Sequence, residues 1–152
     1  KIIRPHPIHA DLAMAVKTNP NRWKYPIGNN RAVKIEAGPN LSFVPNQIKA
    51  KPGEVLALTF QNPDVVPHNL AIIKPGTLPA VGILANQLIG DPQAIVRHYV
   101  PDTADVIVHT DVVMPSDKFT IYFKAPDKKG FYPFVCTFPG HWMVMNGNLV
   151  IE

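Results

Sequence analysis

Between Phe134 and Met145 the chain carries its only cysteine, a histidine and two methionines, spaced Cys136-x4-His141-x3-Met145. Thiolate and thioether are soft donors that suit Cu(I), and imidazole suits both oxidation states. A trigonal plane of two imidazoles and a thiolate, with a long axial thioether, lets copper change charge with little rearrangement. Such a site needs a second histidine, so the fold must carry a distant segment to this loop. His68, in Val65-Val66-Pro67-His68-Asn69-Leu70, ends an extended apolar run beside an asparagine able to tie two loops together, and it is the expected remaining ligand. The loop leaves a strand at Thr137, turns at Pro139-Gly140 and re-enters a strand at Gly147; Gly140 supplies the turn's freedom and Pro139 its stiffness. Periodicity does not separate the methionines, because an extended path after His141 puts Met143 and Met145 on one side.

From residue 32 onward the pattern has period two. Val33 and Ile35 alternate with Lys34 and Glu36, Leu41, Phe43 and Ile48 follow, and Leu56, Leu58 and Phe60 point away from Val55, Ala57 and Thr59. Asn62-Pro63-Asp64 breaks this third strand, 69–74 resumes as a fourth, and 106–110, 119–123, 132–137 and 148–151 complete eight strands of a Greek-key β-sandwich. Residues 75–101 do not alternate. Leu78, Val81, Leu84, Leu88 and Ile89 recur at helical spacing, and Asp91-Pro92 is a helix start, which predicts a short helical insertion between strands four and five.

Cys136-Thr137-Phe138-Pro139-Gly140-His141 with Met145 resembles the azurin ligand loop, and Pro67-His68-Asn69 resembles the plastocyanin ligand motif. The chain is thus similar to the cupredoxins from about residue 32 to 152, including the strand at 106–110. The resemblance implies an all-β fold with the helical insertion in the same place, and one type 1 copper held by His68, Cys136, His141 and Met145. It favours Met145 over Met143 as the axial ligand. It also implies single-electron exchange with redox partner proteins, a cytochrome or dehydrogenase domain among them, in a periplasmic or other extracytoplasmic setting. Azurins carry an N-terminal disulfide that one cysteine cannot form, and they have glycine where this chain has Pro67, which is expected to keep its carbonyl away from copper. The backbone N–H groups of Asn69 and Phe138 are expected to bond the thiolate and favour the reduced state. Pro139, Trp142 and Met143, with Val66, are expected to form a small apolar patch at the edge of His141 for brief encounters.

At 152 residues the chain has the length of one domain with a respectable core. Its net charge of +4 is uneven: residues 1–31 hold six Lys/Arg against Asp11 alone, and 32–152 are nearly neutral. Four prolines and the asparagines of 1–31 predict a basic arm or linker with little sheet, at most a helical turn at 10–17, pinned by Trp23 and Tyr25. No basic stripe with interleaved aromatics argues for nucleic acid, and no apolar run is long enough to span a bilayer. His6 and His9 lack acidic or sulfur companions, and His98 and His109 lack ligand-spaced partners, so a single metal is expected. The sequence has no His-x-His motif for a catalytic copper, and no orienting acid for nucleophilic use of Cys136 with His141, so it does not read as an enzyme. The alternatives are a copper-storage module, or the electron-entry domain of a larger haem- or dehydrogenase-containing protein joined through the arm.

Overall fold

The computed structural model describes residues 7–18 and 20–152, with side chains for 12–17 and 20–152. His6 lies outside the described residues, as does the side chain of His9. Helix α1 spans Pro7–Thr18. Strands β1 (Arg31–Gly38), β2 (Ser42–Val44), β3 (Gln47–Ala50), β4 (Val55–Gln61) and β5 (Ala71–Ile73) lead into helix α2 (Leu78–Gln87) and a 3₁₀ turn at Ile95–Arg97. The chain closes with β6 (Val106–His109), β7 (Lys118–Lys124), β8 (Gly130–Val135) and β9 (Asn146–Ile151).

Two sheets result, ordered β2-β1-β4-β7 and β3-β9-β8-β5-β6. Leu58 pairs with Val33 on one side and Ile121 on the other. The alternation read from the sequence therefore lands on one inner face, where Leu56, Leu58, Phe60 and Ile121 are buried. Phe43 joins the layers, meeting Phe60 edge-on at 5.5 Å and Phe134 of the other sheet at 5.2 Å between ring centroids.

The strand count differs from the expected eight because 41–48 is two strands. Ser42–Val44 pairs with β1, whereas Gln47–Ala50 pairs with β9 in the opposite sheet. Pro45, entered through a cis peptide, has no N–H with which to extend the β2 ladder, so the chain changes sheets there. The helical insertion falls between β5 and β6 as expected; Val81 of α2 packs with Ala71, Ile73 and Val135 of the second sheet, and Ala85 is buried as well.

The arm is more structured than its prolines suggest. Helix α1 packs on the Ile95–Arg97 turn and buries Ala15. Buried Asn21 donates to the His109 carbonyl at 2.9 Å and to Asp111 at 3.2 Å, and Trp23 meets the His109 ring edge-on at 4.9 Å. Trp23 therefore pins the arm and exposed Tyr25 does not. No helix among the described residues is long and apolar enough to cross a membrane.

Candidate metal centre

The site is built by the pairing of β5, β8 and β9. Ala71 sits opposite Val135, so the residues just before β5 and just after β8, His68 to Leu70 and Cys136, end up side by side at one edge of the sheet. Val135 sits opposite Asn146, and the Cys136 N–H donates to the Met145 carbonyl at 3.1 Å. Cys136 and Met145 thus close the loop 137–144 as a cross-strand pair, a placement that brings Cβ atoms to about 4.5–5.5 Å with side chains on one face. Both are fully buried.

Within the loop the path is turned rather than extended. The N–H groups of Val144 and Met145 both return to the His141 carbonyl, at 3.2 and 2.9 Å, after Gly140 takes φ +85°. The expectation that Met143 and Met145 share a side is therefore corrected. Met143 is 71% exposed and Met145 is 0% exposed, because one tight turn lies between them and the strand.

His68 Nδ1 lies 3.9 Å from Cys136 Sγ and His141 Nδ1 lies 3.6 Å from it, and the donor atoms of the three residues are all within 4.8 Å of one another. A fit to a metal ion can be tested on these separations. Bonds of about 2.3 Å to sulfur and about 2.0–2.1 Å to nitrogen, splayed at roughly 120°, put sulfur and nitrogen about 3.8 Å apart. The observed pair straddles that value, so the two sulfur-to-nitrogen separations suit one trigonally held ion.

Each donor is held by its surroundings. The backbone of His68 exchanges hydrogen bonds with Val113, and its Nε2 meets Asp64 Oδ2 at 2.8 Å, which leaves Nδ1 as the lone-pair nitrogen facing the sulfur. The Asn69 N–H approaches Cys136 Sγ at 3.5 Å, and the Phe138 backbone N–H also favours its thiolate form. Burial pushes the Cys136 thiol up to about 12 against these two donors, so a metal must displace a proton to bind there. Burial and the facing His68 ring hold His141 below the ordinary imidazole value, opposed by Asp64. The Asn69 side chain locks the two ligand segments: its Oδ1 accepts from the Thr137 N–H at 2.8 Å, and its Nδ2 donates to Thr137 Oγ1 and the His98 carbonyl, both at 2.9 Å.

The remaining expected residues separate. Phe138 is half-buried between Tyr99 and His141, with ring centroids at 4.6 and 5.5 Å. Pro67 and Pro139 are half-buried. Trp142 is half-exposed, with its indole on Gly82 of α2 and its Nε1 donating to Asn86 at 3.1 Å. His98 and His109 stay outside the donor cluster. Sequence reasoning missed Asp64, whose only signal was a carboxylate four residues before a ligand in a turn-forming Asn-Pro-Asp stretch.

Residues 29–152 match the family model described as copper binding proteins, plastocyanin/azurin family. The chain belongs to that family. Auracyanin-A of Chloroflexus aurantiacus is 29% identical over 117 residues, which covers 76% of this chain and 70% of that protein. Its solved structure, described as a "blue" copper protein, superposes with a TM-score of 0.72 at 26% identity over 82% of this chain and all of that one. A reduced auracyanin from Roseiflexus castenholzii gives 0.69 at 28% identity, over 82% and 99% of the two chains. Outer membrane protein H.8 of Neisseria gonorrhoeae is 28% identical over 129 residues, 80% of this chain and 68% of that protein. As a cupredoxin, the chain binds one type 1 copper, and among the described residues His68, Cys136 and His141 form a cluster that could hold a metal ion.

Proposed function

We propose that this cupredoxin carries single electrons between redox proteins, with His68, Cys136 and His141 as the equatorial ligands and Met145 as the axial one. The observation that carries the reading is the convergence of two imidazole nitrogens on one buried sulfur at 3.9 and 3.6 Å, from segments 68 residues apart in the chain. When bound, copper supplies a one-electron couple. The protein holds its donors in place, excludes water from Cys136 and Met145, and leaves the half-exposed His141 as the nearest ligand to solvent. The cross-strand pairing of Met145 with Cys136 supports it as the axial donor over exposed Met143. Asn69 and Phe138 N–H groups stabilise negative charge on the sulfur, and Pro67 holds its carbonyl back from the ion.

Four protein donors leave no open position of the kind a catalytic metal needs, so the chain is a carrier and not an enzyme. The docking patch consists of exposed Met143, Val65, Val66 and Val144 with half-buried Pro139, apolar side chains on the two segments that carry His68 and His141. Trp142 supports it from behind. Its partner is a cytochrome or dehydrogenase domain, met outside the cytoplasm; the Neisseria relative, by its name, is an outer membrane protein. The cupredoxin unit is 32–152 and the basic arm is 1–31, β1 beginning at the boundary with Arg31.

Titration with Cu(II), followed by visible absorption and electron paramagnetic resonance, tests the reading. The wild type develops the intense thiolate charge-transfer band and Cys136→Ser does not. A wild type that binds Cu(II) without colour would establish the storage reading in its place.

A further inference from the structure

We propose that Asp64 is a positioning residue for the copper couple: by accepting the Nε2–H of His68 it fixes that ligand's tautomer and holds the reduction potential down. The inference rests on the electron-carrier reading of the same site. Its basis is geometric. His68 is fully buried and Asp64 Oδ2 stands 2.8 Å from its Nε2, while Nδ1 faces Cys136 Sγ at 3.9 Å. With the other tautomer, a bare Nε2 would face the carboxylate and an N–H would face the metal position, so the carboxylate selects the form that can ligate.

The loop is arranged to hold that carboxylate. Asp64 Oδ1 accepts from the Val65 N–H at 2.7 Å, and the Asp64 N–H donates to Asn62 Oδ1 at 2.9 Å. Buried Asn62 spends its Nδ2 on the Val66 and Val113 carbonyls, both at 2.9 Å. Val113 also brackets the His68 backbone, so ring and carboxylate are referenced to one residue.

The sign follows from charge. Cu(II) with one thiolate leaves a net positive site in a buried setting, and a carboxylate one imidazole away compensates it. Cu(I) with the same thiolate is already neutral, so Asp64 adds nothing comparable there. The carboxylate therefore favours the oxidised state, in opposition to the Asn69 and Phe138 N–H groups on the sulfur. The two sides of the site pull the potential in opposite directions.

The test compares wild-type and Asp64→Asn proteins loaded with copper. Asparagine can still accept the Nε2–H through its side-chain oxygen, so the blue band persists while the anionic charge is gone. Cu(II) affinity, measured by chelator competition, is expected to fall about ten- to a hundredfold, and the midpoint potential to rise by about 59 mV for each tenfold loss not matched by Cu(I). Equal or lower potential in Asp64→Asn would overturn the proposal, because a residue that only closes its loop would change stability and not potential. Long-range nitrogen–proton NMR of the Cu(I) wild type gives a readout independent of the variant's folding: a proton on Nε2 of His68 is expected, and its absence would overturn the proposal. A colourless wild type would instead sink the carrier reading itself.

Discussion

Asn69 shows how much of the site is carried by a residue that touches no metal. Its side chain satisfies the buried Thr137 N–H and the His98 carbonyl, and so ties the segment before β5 to the ligand loop and to the turn beyond α2. Asn69→Ala leaves a buried donor and a buried acceptor unpaired, each costing about 1–3 kcal/mol. The copper-free protein is therefore expected to lose about 2–6 kcal/mol in urea unfolding, with the denaturant slope unchanged. At this scale the sequence was most legible where chemistry narrows the choice of side chain. Only a thiolate with imidazoles at that spacing has the ligand chemistry, and His68, Cys136 and His141 do come together. Asp64 was not legible, because carboxylates are common in turns and its partner is set by how Asn62 folds the loop.

At the scale of elements, α2 and the ligand loop are coupled through one missing side chain. A Cβ on Gly82 would sit inside the van der Waals envelope of the Trp142 indole. Gly82→Ala gains helix propensity of about 1 kcal/mol but must displace the ring, and overpacking of this kind costs about 1–3 kcal/mol. The net expected loss is about 1 kcal/mol. The more decisive reading is the Trp142 indole N–H resonance, one of two in the protein, which should shift as its bond to Asn86 breaks. An unmoved resonance would show that α2 adjusts instead. The helix itself was visible in the spacing of Leu78, Val81 and Leu88, since a buried face must recur at that period. Its seat for Trp142 was not, because a glycine inside a helix reads only as a weak helix former until the partner ring is in place. The split of 41–48 left only a faint trace: Phe43 and Ile48 are five residues apart and would face opposite sides of one continuous strand, yet both reach the core because the chain changes sheets between them.

For the whole molecule the question is how far the arm belongs to the body. Composition suggested a solvated linker, because the arm holds six lysines and arginines and four prolines, but composition does not say where Ala15, Asn21 and Trp23 fall. The structure gives those three different weights. Ala15 is buried against the Ile95–Arg97 turn, and of the other described side chains of α1, Leu12 is half-buried and Ala13, Met14, Val16 and Lys17 are exposed. Asn21 and Trp23 are bound to β6 and the segment after it: Asn21 satisfies the His109 carbonyl and the Asp111 carboxylate, and Trp23 covers the His109 ring and packs on the main core. They also form one wall of a cleft of about 400 Å³ that His98, Pro101 and Asp111 close from the other side. Two truncations separate these contributions. A chain beginning at Pro20 should lose little, because among the described side chains it removes only Ala15 is fully buried. A chain beginning at Ala32 gives up a partly buried tryptophan, for which complete removal from a core costs about 3–5 kcal/mol, and it leaves Asp111 without its amide donor. Calorimetry of the copper-free proteins should therefore show a small drop in Tm for the first and a much larger one for the second. Both should still turn blue with Cu(II), because none of the donors or their hydrogen-bond partners lies before residue 32. Loss of colour in the shorter chain, with its melting transition intact, would mean that the arm reaches the copper site and that the boundary at 31 is misplaced.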